Sequence, residues 1–320
     1  MAAGVHRAHR RLRRPRSGWS TSRSLLIAYA AAAVAVAVTR KRTGVPPAVT
    51  LSVASVAPLA VAAAMPPGRW RHVATGAMYM WVFQLTWSLP YDDPDGLRER
   101  LHVRYPIRVD CWLGGGVPPT LRLQRRLRGH HPDRVSVLDT AVVAIYASWF
   151  VPHLVVGWIL LHHEEFVPRA AGRLAAAYHL TTPFYWLVPT APPWWASESA
   201  GEMEGEVRHV LRLVLRKMRN QSAEDPDPQQ SSGNPWGSMP SDHIASAAIT
   251  AMALSEVSVA YGALGWTYVA LASFSVIYLG EHYLVDVLAG LAVAEALRLA
   301  EPVLNPLAHR VAQGLEWVAP

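Results

Sequence analysis

The chain has 320 residues, 51% of them hydrophobic and 17% charged, with 30 Lys and Arg against 23 Asp and Glu. A mean hydropathy of +0.13 with so few charges excludes an ordinary soluble basic protein and points to a polytopic membrane protein. The net charge of +7 suits an anionic partner, and in so apolar a chain that partner is phospholipid in the bilayer, with no nucleic acid expected.

Arg7, Arg10, Arg11, Arg13, Arg14, Arg16 and Arg23 precede an alanine-rich run at 24–39, which Arg40, Lys41 and Arg42 follow directly. This pattern reads as a basic cytoplasmic N-terminus, 1–23, and a first anchor rather than a cleaved signal peptide. Further apolar runs lie at 46–65, 73–89, 140–161, 174–195, 243–261, 264–279 and 283–299. Most approach the ~20 residues that cross ~30 Å of hydrocarbon, so the expected fold is all-α, a bundle of about 6–8 transmembrane helices with interfacial helices. The expected organisation is transmembrane helices over 24–89, an interfacial basic segment over 90–135, a catalytic membrane core over 136–301 and a C-terminal tail over 302–320. Lys and Arg fall on both sides of an eight-span arrangement, mostly in long connections that count little toward orientation.

Two connections carry their own pattern. Apolar and basic residues alternate through Leu121-Arg122-Leu123-Gln124-Arg125-Arg126-Leu127-Arg128, and 207–218 interleaves Arg208, Arg212, Arg216 and Lys217 at helical spacing. Both read as amphipathic helices lying in the interface. The stretch 220–236, rich in Asp, Pro, Gln and Ser, reads as a mobile loop.

The chemistry concentrates in two motifs. Gly237-Ser238-Met239-Pro240-Ser241-Asp242-His243 stands where that loop meets an apolar helix. Ser238 and Ser241 are capping residues, Pro240 suits a first turn, and a helix start with free amides is a ready anion site beside His243. Gly280-Glu281-His282-Tyr283-Leu284-Val285-Asp286 opens the next such helix, with His282 and Asp286 four apart and so on one face. An Asp that holds one imidazole nitrogen leaves the other free as a nucleophile. One crossing out, a tight turn at 262–265 and one crossing back place both motifs at the same membrane face. The run 183–195, rich in Pro and aromatic residues, ends the preceding span at that face and reads as a broken helix end lining a polar cavity.

Other ionisable groups read as ordinary. His130, His131, His153, His162, His163 and His179 are taken as interfacial or packed histidines, and in His162-His163-Glu164-Glu165 adjacent residues on a helix point different ways. The single Cys111 supplies no disulfide and no C-x-x-C motif. Neither a metal nor a cofactor is expected.

Pro-Ser-x-His followed by His-x-x-x-Asp resembles the membrane-bound phosphatidic acid phosphatase type 2 superfamily. Residues 237–243 with 278–290 look most like its inositol phosphorylceramide synthase branch, the aureobasidin-resistance type. Pro189-Thr190-Ala191-Pro192-Pro193-Trp194 adds to the likeness, as does 110–127 with Asp110, Gly114-Gly115-Gly116, Pro118 and Leu123-Gln124. The resemblance implies His282 as the nucleophile that forms a phosphohistidine, Asp286 as its orienting group, and His243 as the acid that protonates the leaving oxygen. It also implies that Ser241 and the amides near Asp242 hold phosphate oxygens. Asp242 stands where the superfamily usually has Gly, although Asp there is also similar to members acting on polyprenyl diphosphates.

The superfamily's Ser-Arg pair is Ser275-Val276 here, and its Lys-x6-Arg-Pro motif is absent, since Glu224 follows Lys217 by seven positions. Phosphoryl transfer depends on electrostatic clamping, so Arg122, Arg126, Arg212 and Lys217 are the candidate replacements. The expected activity is a lipid-phosphate phosphatase or phosphotransferase acting on a phospholipid or polyprenyl phosphate, with the site on the extracytoplasmic side. A head-group transferase is the alternative within that chemistry. A transporter or scaffold with a His and Asp ion path is the rival outside it, although such relays spread along spans instead of clustering at helix starts.

Overall fold

The computed structural model describes residues 17–128, 134–163, 167–221 and 234–318. These residues are helical with no strand, in the order α1 (Ser17–Thr43), α2 (Pro47–Ala64), α3 (Arg69–Ser88), α4 (Pro94–Glu99), α5 (Arg104–Leu113), α6 (Pro119–Arg128), α7 (Val137–Ala147), α8 (Phe150–His162), α9 (Val167–Leu187), α10 (Pro193–Glu198), α11 (Val210–Met218), α12 (Asp242–Val257), α13 (Val259–Leu279) and α14 (Leu284–Val318). Thr21–Thr43, Pro47–Ala64 and Val259–Leu279 are, among the described residues, long and apolar enough to cross a bilayer. The N-terminal arginines up to Arg16, His130, His131, Glu164, Glu165 and most of the expected mobile loop lie outside the described residues.

The core forms where α9, α12, α13 and α14 meet. Ala247, Ala248, Ile249 and Ala251 of α12 pack against Ala177, Val269, Ala294 and Leu297, and small side chains let the helices approach closely. A second cluster joins α7, α11 and α13 through Val142, Val143, Val210, Leu211, Val214, Tyr278 and Leu279. Between α9, α12 and α14, Arg173 pairs with Glu256 at 2.7 Å and with Glu301, so charges inside the bundle are compensated. The N-terminal helices have a separate apolar seam through Ala37, Ala54, Val82 and Leu85.

Three expectations are corrected. The run 140–161 is not one helix: it breaks at Ser148 and Trp149, where Ser148 Oγ donates to Ile145 O at 2.6 Å and Trp149 Nε1 reaches Ser246 Oγ of α12 at 3.1 Å. The turn expected at 262–265 lies at Ser258, whose hydroxyl accepts the Tyr261 amide and caps α13. Gly262 and Gly265 are inside α13, because a Cβ there would sit 2.6 Å from Ser255 Oγ and 2.8 Å from Ala251 Cα, so these glycines serve helix contact rather than chain reversal. His282 does not share a helix with Asp286, since α14 begins at Leu284 and His282 precedes it in a short loop.

Both amphipathic segments are helical, as α6 and α11, and the Pro-rich run is a broken helix end between α9 and α10. Thr190 in that break pairs with His102 on one side and Gly237 on the other. His102 N to Pro189 O at 2.8 Å and Thr190 N to Trp236 O at 2.8 Å hold the three segments together. They set the path on which Ser238 enters the site.

Candidate active site

α12 and α14 start side by side. Gly290 makes this contact possible, because a Cβ on it would fall 2.5 Å from Ser241 O. Ser241 N donates to Asp286 O at 3.1 Å, joining the two helix starts directly. Pro240, after a cis Met239–Pro240 bond, has its carbonyl held by Tyr185 Oη at 2.8 Å. The strands of chain on both sides of the site are therefore fixed by buried polar contacts.

The His282 loop begins at Gly280, whose φ of +80° suits glycine and whose Cβ would lie 3.3 Å from Arg208 O. Glu281 N and His282 N both return to Val276 O, at 3.0 and 3.1 Å, and Trp194 N donates to Gly280 O at 3.0 Å. His282 Nδ1 lies 2.8 Å from Ser238 O and 3.4 Å from Asp286 Oδ2. A carbonyl only accepts, so Nδ1 carries a proton, and in the neutral ring the lone pair is on Nε2. The carbonyl of Ser238 thus fixes the tautomer at the shorter distance. Asp286, fully buried, backs the ring and accepts the Tyr283 amide at 2.9 Å.

His243 faces His282 across the motif pair, with ring centres 5.5 Å apart and edge to face. It stacks on Tyr146 at 4.9 Å and leans on Trp149 at 5.1 Å, so the kink between α7 and α8 supplies part of its wall. Both imidazoles line a cavity of about 560 Å³ with Trp87, Trp194, Trp195, Trp236, Ser238, Asp242, His209, Arg212 and Glu281. Asn234 also lines it, so the described end of the expected loop contributes to the wall.

The structure sorts the remaining expected residues. Ser241 is at the N-cap of α12 but makes no side-chain cap bond; its hydroxyl is buried, has no hydrogen bond among the described residues, and does not line the cavity. Ser238, expected as a cap, is in the preceding loop and does line it. Of the four candidate cations only Arg212 reaches the cavity. It pairs with Glu198, and its guanidinium lies 6.0 Å from the Trp194 ring centre. Arg122 is exposed and donates to Gly114 O, Arg126 is exposed, and Lys217 is exposed and 3.4 Å from Val135 O. Val276, at the place of the missing superfamily Arg, is buried among Ile244, Ala272, Ile277 and Val287, where a cation would have no partner.

Sequence reasoning missed the His209–Glu281 pair. His209 Nε2 is 2.9 Å from Glu281 Oε1, and its ring stacks on Trp194 at 4.1 Å and 5°. The signal was present in Glu281 beside His282, and in a His one turn from Arg212.

A sequence model of the PAP2 superfamily matches residues 107–299, more than half of the chain. The chain belongs to the PAP2 superfamily. Members of the superfamily are phosphatases and phosphotransferases, and with the three apolar helices this membership marks a membrane protein. No curated protein and no solved structure matches the chain. The superfamily match runs from α5 into α14 and contains His243, His282 and Asp286, whereas α1 to α3 lie wholly outside it.

Proposed function

We propose that this membrane protein transfers the phosphoryl group of a lipid phosphate ester through a phosphohistidine on His282. The observation that carries the reading is the edge-to-face pair of His282 and His243, 5.5 Å apart on one cavity, with His282 Nδ1 held by Ser238 O. The Nε2 lone pair attacks phosphorus, the bond from phosphorus to the leaving oxygen breaks, and His243 gives that oxygen its proton. Water or an alcohol then attacks phosphorus and returns a proton to His243 as the P–N bond breaks. Asp286 holds the imidazole as it gains positive charge. The start of α12, Ser238 and Arg212 face the phosphate oxygens.

Within this chemistry, head-group transfer of the inositol phosphorylceramide synthase type is the favoured form. A cavity of about 560 Å³ is far larger than a phosphate and leaves room for a head group. Its lining carries the carboxylates Asp242 and Glu281 against Arg212, a balance that suits a phosphodiester monoanion better than a monoester dianion. The reading places the site on the extracytoplasmic side of the membrane.

The test uses purified protein in detergent with a phosphoinositide, phosphatidic acid or a polyprenyl diphosphate, with and without a lipid alcohol. Free phosphate and head-group-bearing products are followed together. A new phospholipid that appears only with the alcohol, and is lost in His282→Ala, establishes transfer. Free phosphate lost in that variant establishes a phosphatase and removes the transferase form. Turnover retained in folded His282→Ala removes the mechanism.

A further inference from the structure

The loop that carries His282 is gripped on both flanks by side chains of the α5–α6 hairpin. After the loop, Asp110 of α5, fully buried, accepts the Leu284 amide on Oδ2 and the Val285 amide on Oδ1, each at 2.9 Å. These are the first amides of α14, and no residue local to that helix takes them. Before the loop, Gln124 of α6, 3% exposed, donates to Tyr278 O at 2.8 Å and to Arg208 O at 3.0 Å. Its Oε1 accepts Arg208 N at 2.8 Å, so every polar atom of the amide is used. The hairpin itself closes tightly at Gly114, where a Cβ would fall 2.1 Å from Val117 O.

Neither Asp110 nor Gln124 lines the cavity. A buried carboxylate and a buried amide are costly unless they are hydrogen-bonded, and here their bonds satisfy the amides of Leu284 and Val285 and the carbonyl of Tyr278. What they fix is the chain on either side of Gly280, Glu281 and His282. We propose that Asp110 and Gln124 are positioning residues that hold the His282 imidazole on Ser238 O and edge-on to His243. The inference rests on the phosphohistidine reading above. A nucleophile displaced by about 1 Å loses on the order of 100-fold in rate without a comparable loss of binding, and that split is what the pair protects.

The experiment compares Asp110→Ala, Asp110→Asn and Gln124→Met with wild type in turnover and in the ¹⁵N spectrum of histidine-labelled protein. The expected result is a fall in kcat of about 10- to 100-fold with KM within about three-fold. Asp110→Asn, which keeps one acceptor, falls less than Asp110→Ala. The His282 signals move from a single Nδ1–H tautomer toward a mixture. A role in folding alone lowers the thermal midpoint but leaves kcat per folded molecule and the tautomer unchanged, and that result overturns the inference. If Asp110→Ala does not fold, Asp110→Asn and Gln124→Met carry the same criterion from either flank. Wild-type protein without His282-dependent turnover removes the phosphohistidine reading. Wild-type turnover with unchanged folded variants removes only the positioning role.

Discussion

At the start of α12 the N-cap residue Ser241 offers no side-chain hydrogen bond, whereas at the start of α14 Asp286 takes the Tyr283 amide and Asp110 takes those of Leu284 and Val285. Both are apolar helices entered from a polar loop that carries a histidine. The N-cap side chain of one spends nothing on its helix's amides, and the other end is filled by the protein's own carboxylates. A helix N-terminus is an anion site only while its amides are unspent. On the proposed mechanism the two ends do complementary work, α12 receiving phosphate and α14 holding the nucleophile still.

The sharpest way to break this comparison is to remove the acid on the open side. His243→Ala is expected to lose about 10²- to 10⁴-fold in kcat with a poor leaving group such as a lipid alkoxide. With p-nitrophenyl phosphate esters, whose leaving group needs no proton, most of that loss should vanish from the pre-steady-state release of p-nitrophenol, the step that precedes the action of His243 as base. A loss of equal size with both leaving groups would show that His243 does something other than donate a proton.

The cation at the open side comes next. Arg212→Ala should lower kcat/KM by about 10- to 100-fold, because a clamp on the transferring group is removed from a site with little other positive charge. Arg122→Ala, Arg126→Ala and Lys217→Ala, all outside the cavity, should stay within about two-fold. Parity among the four in steady-state kinetics would contradict the assignment of Arg212.

The contact between the two helix starts is tested by Gly290→Ala. The added Cβ would lie 2.5 Å from Ser241 O and 3.2 Å from Ala245 N, both backbone, so α12 must shift. Overpacking of this kind costs about 1–3 kcal/mol and should lower the thermal midpoint and turnover together. An unchanged midpoint would mean that the two starts are not in close contact.

How far the sequence announced this arrangement depended on whether a feature was local. The helices came from apolar runs, and the facing of His243 and His282 came from counting crossings, because both follow from order along one chain. The glycines at 262 and 265 misled, since a glycine needed for a neighbour's approach and one needed for a turn look alike until the neighbour is known. Ser238 O as the partner of His282 Nδ1 was invisible because it is a backbone atom, and every residue has one. Asp110 and Gln124 were noticed within a segment of family likeness but had no role there. Their partners lie 174 and 154 positions away, and only the fold brings them to the loop. Arg212 could not be separated from three other basic residues because amphipathic spacing says which face a side chain is on but not which face meets the cavity.

The filled end of α14 can also be probed by pH, with the smallest effect of the set. Burial pushes the Asp110 carboxyl up to about 6, against the downward pull of the Leu284 and Val285 amides, with nearby Asp286 adding to the rise. In the unfolded chain the same group titrates near 3.8. Folded Asp110 therefore keeps its proton over a window in which the unfolded chain has released it, so folding takes up a proton there. Its contribution is fully present below 3.8 and is lost as the pH rises to about 6. Across that window the wild type should lose on the order of 1 kcal/mol more stability than Asp110→Asn, which has no proton to release. Thermal melts of both proteins in detergent at a series of pH values measure the difference. Parallel curves would mean that Asp110 is already ionised at low pH and that the amides of α14 outweigh its burial, making the closed helix end a still stronger contrast to the open one.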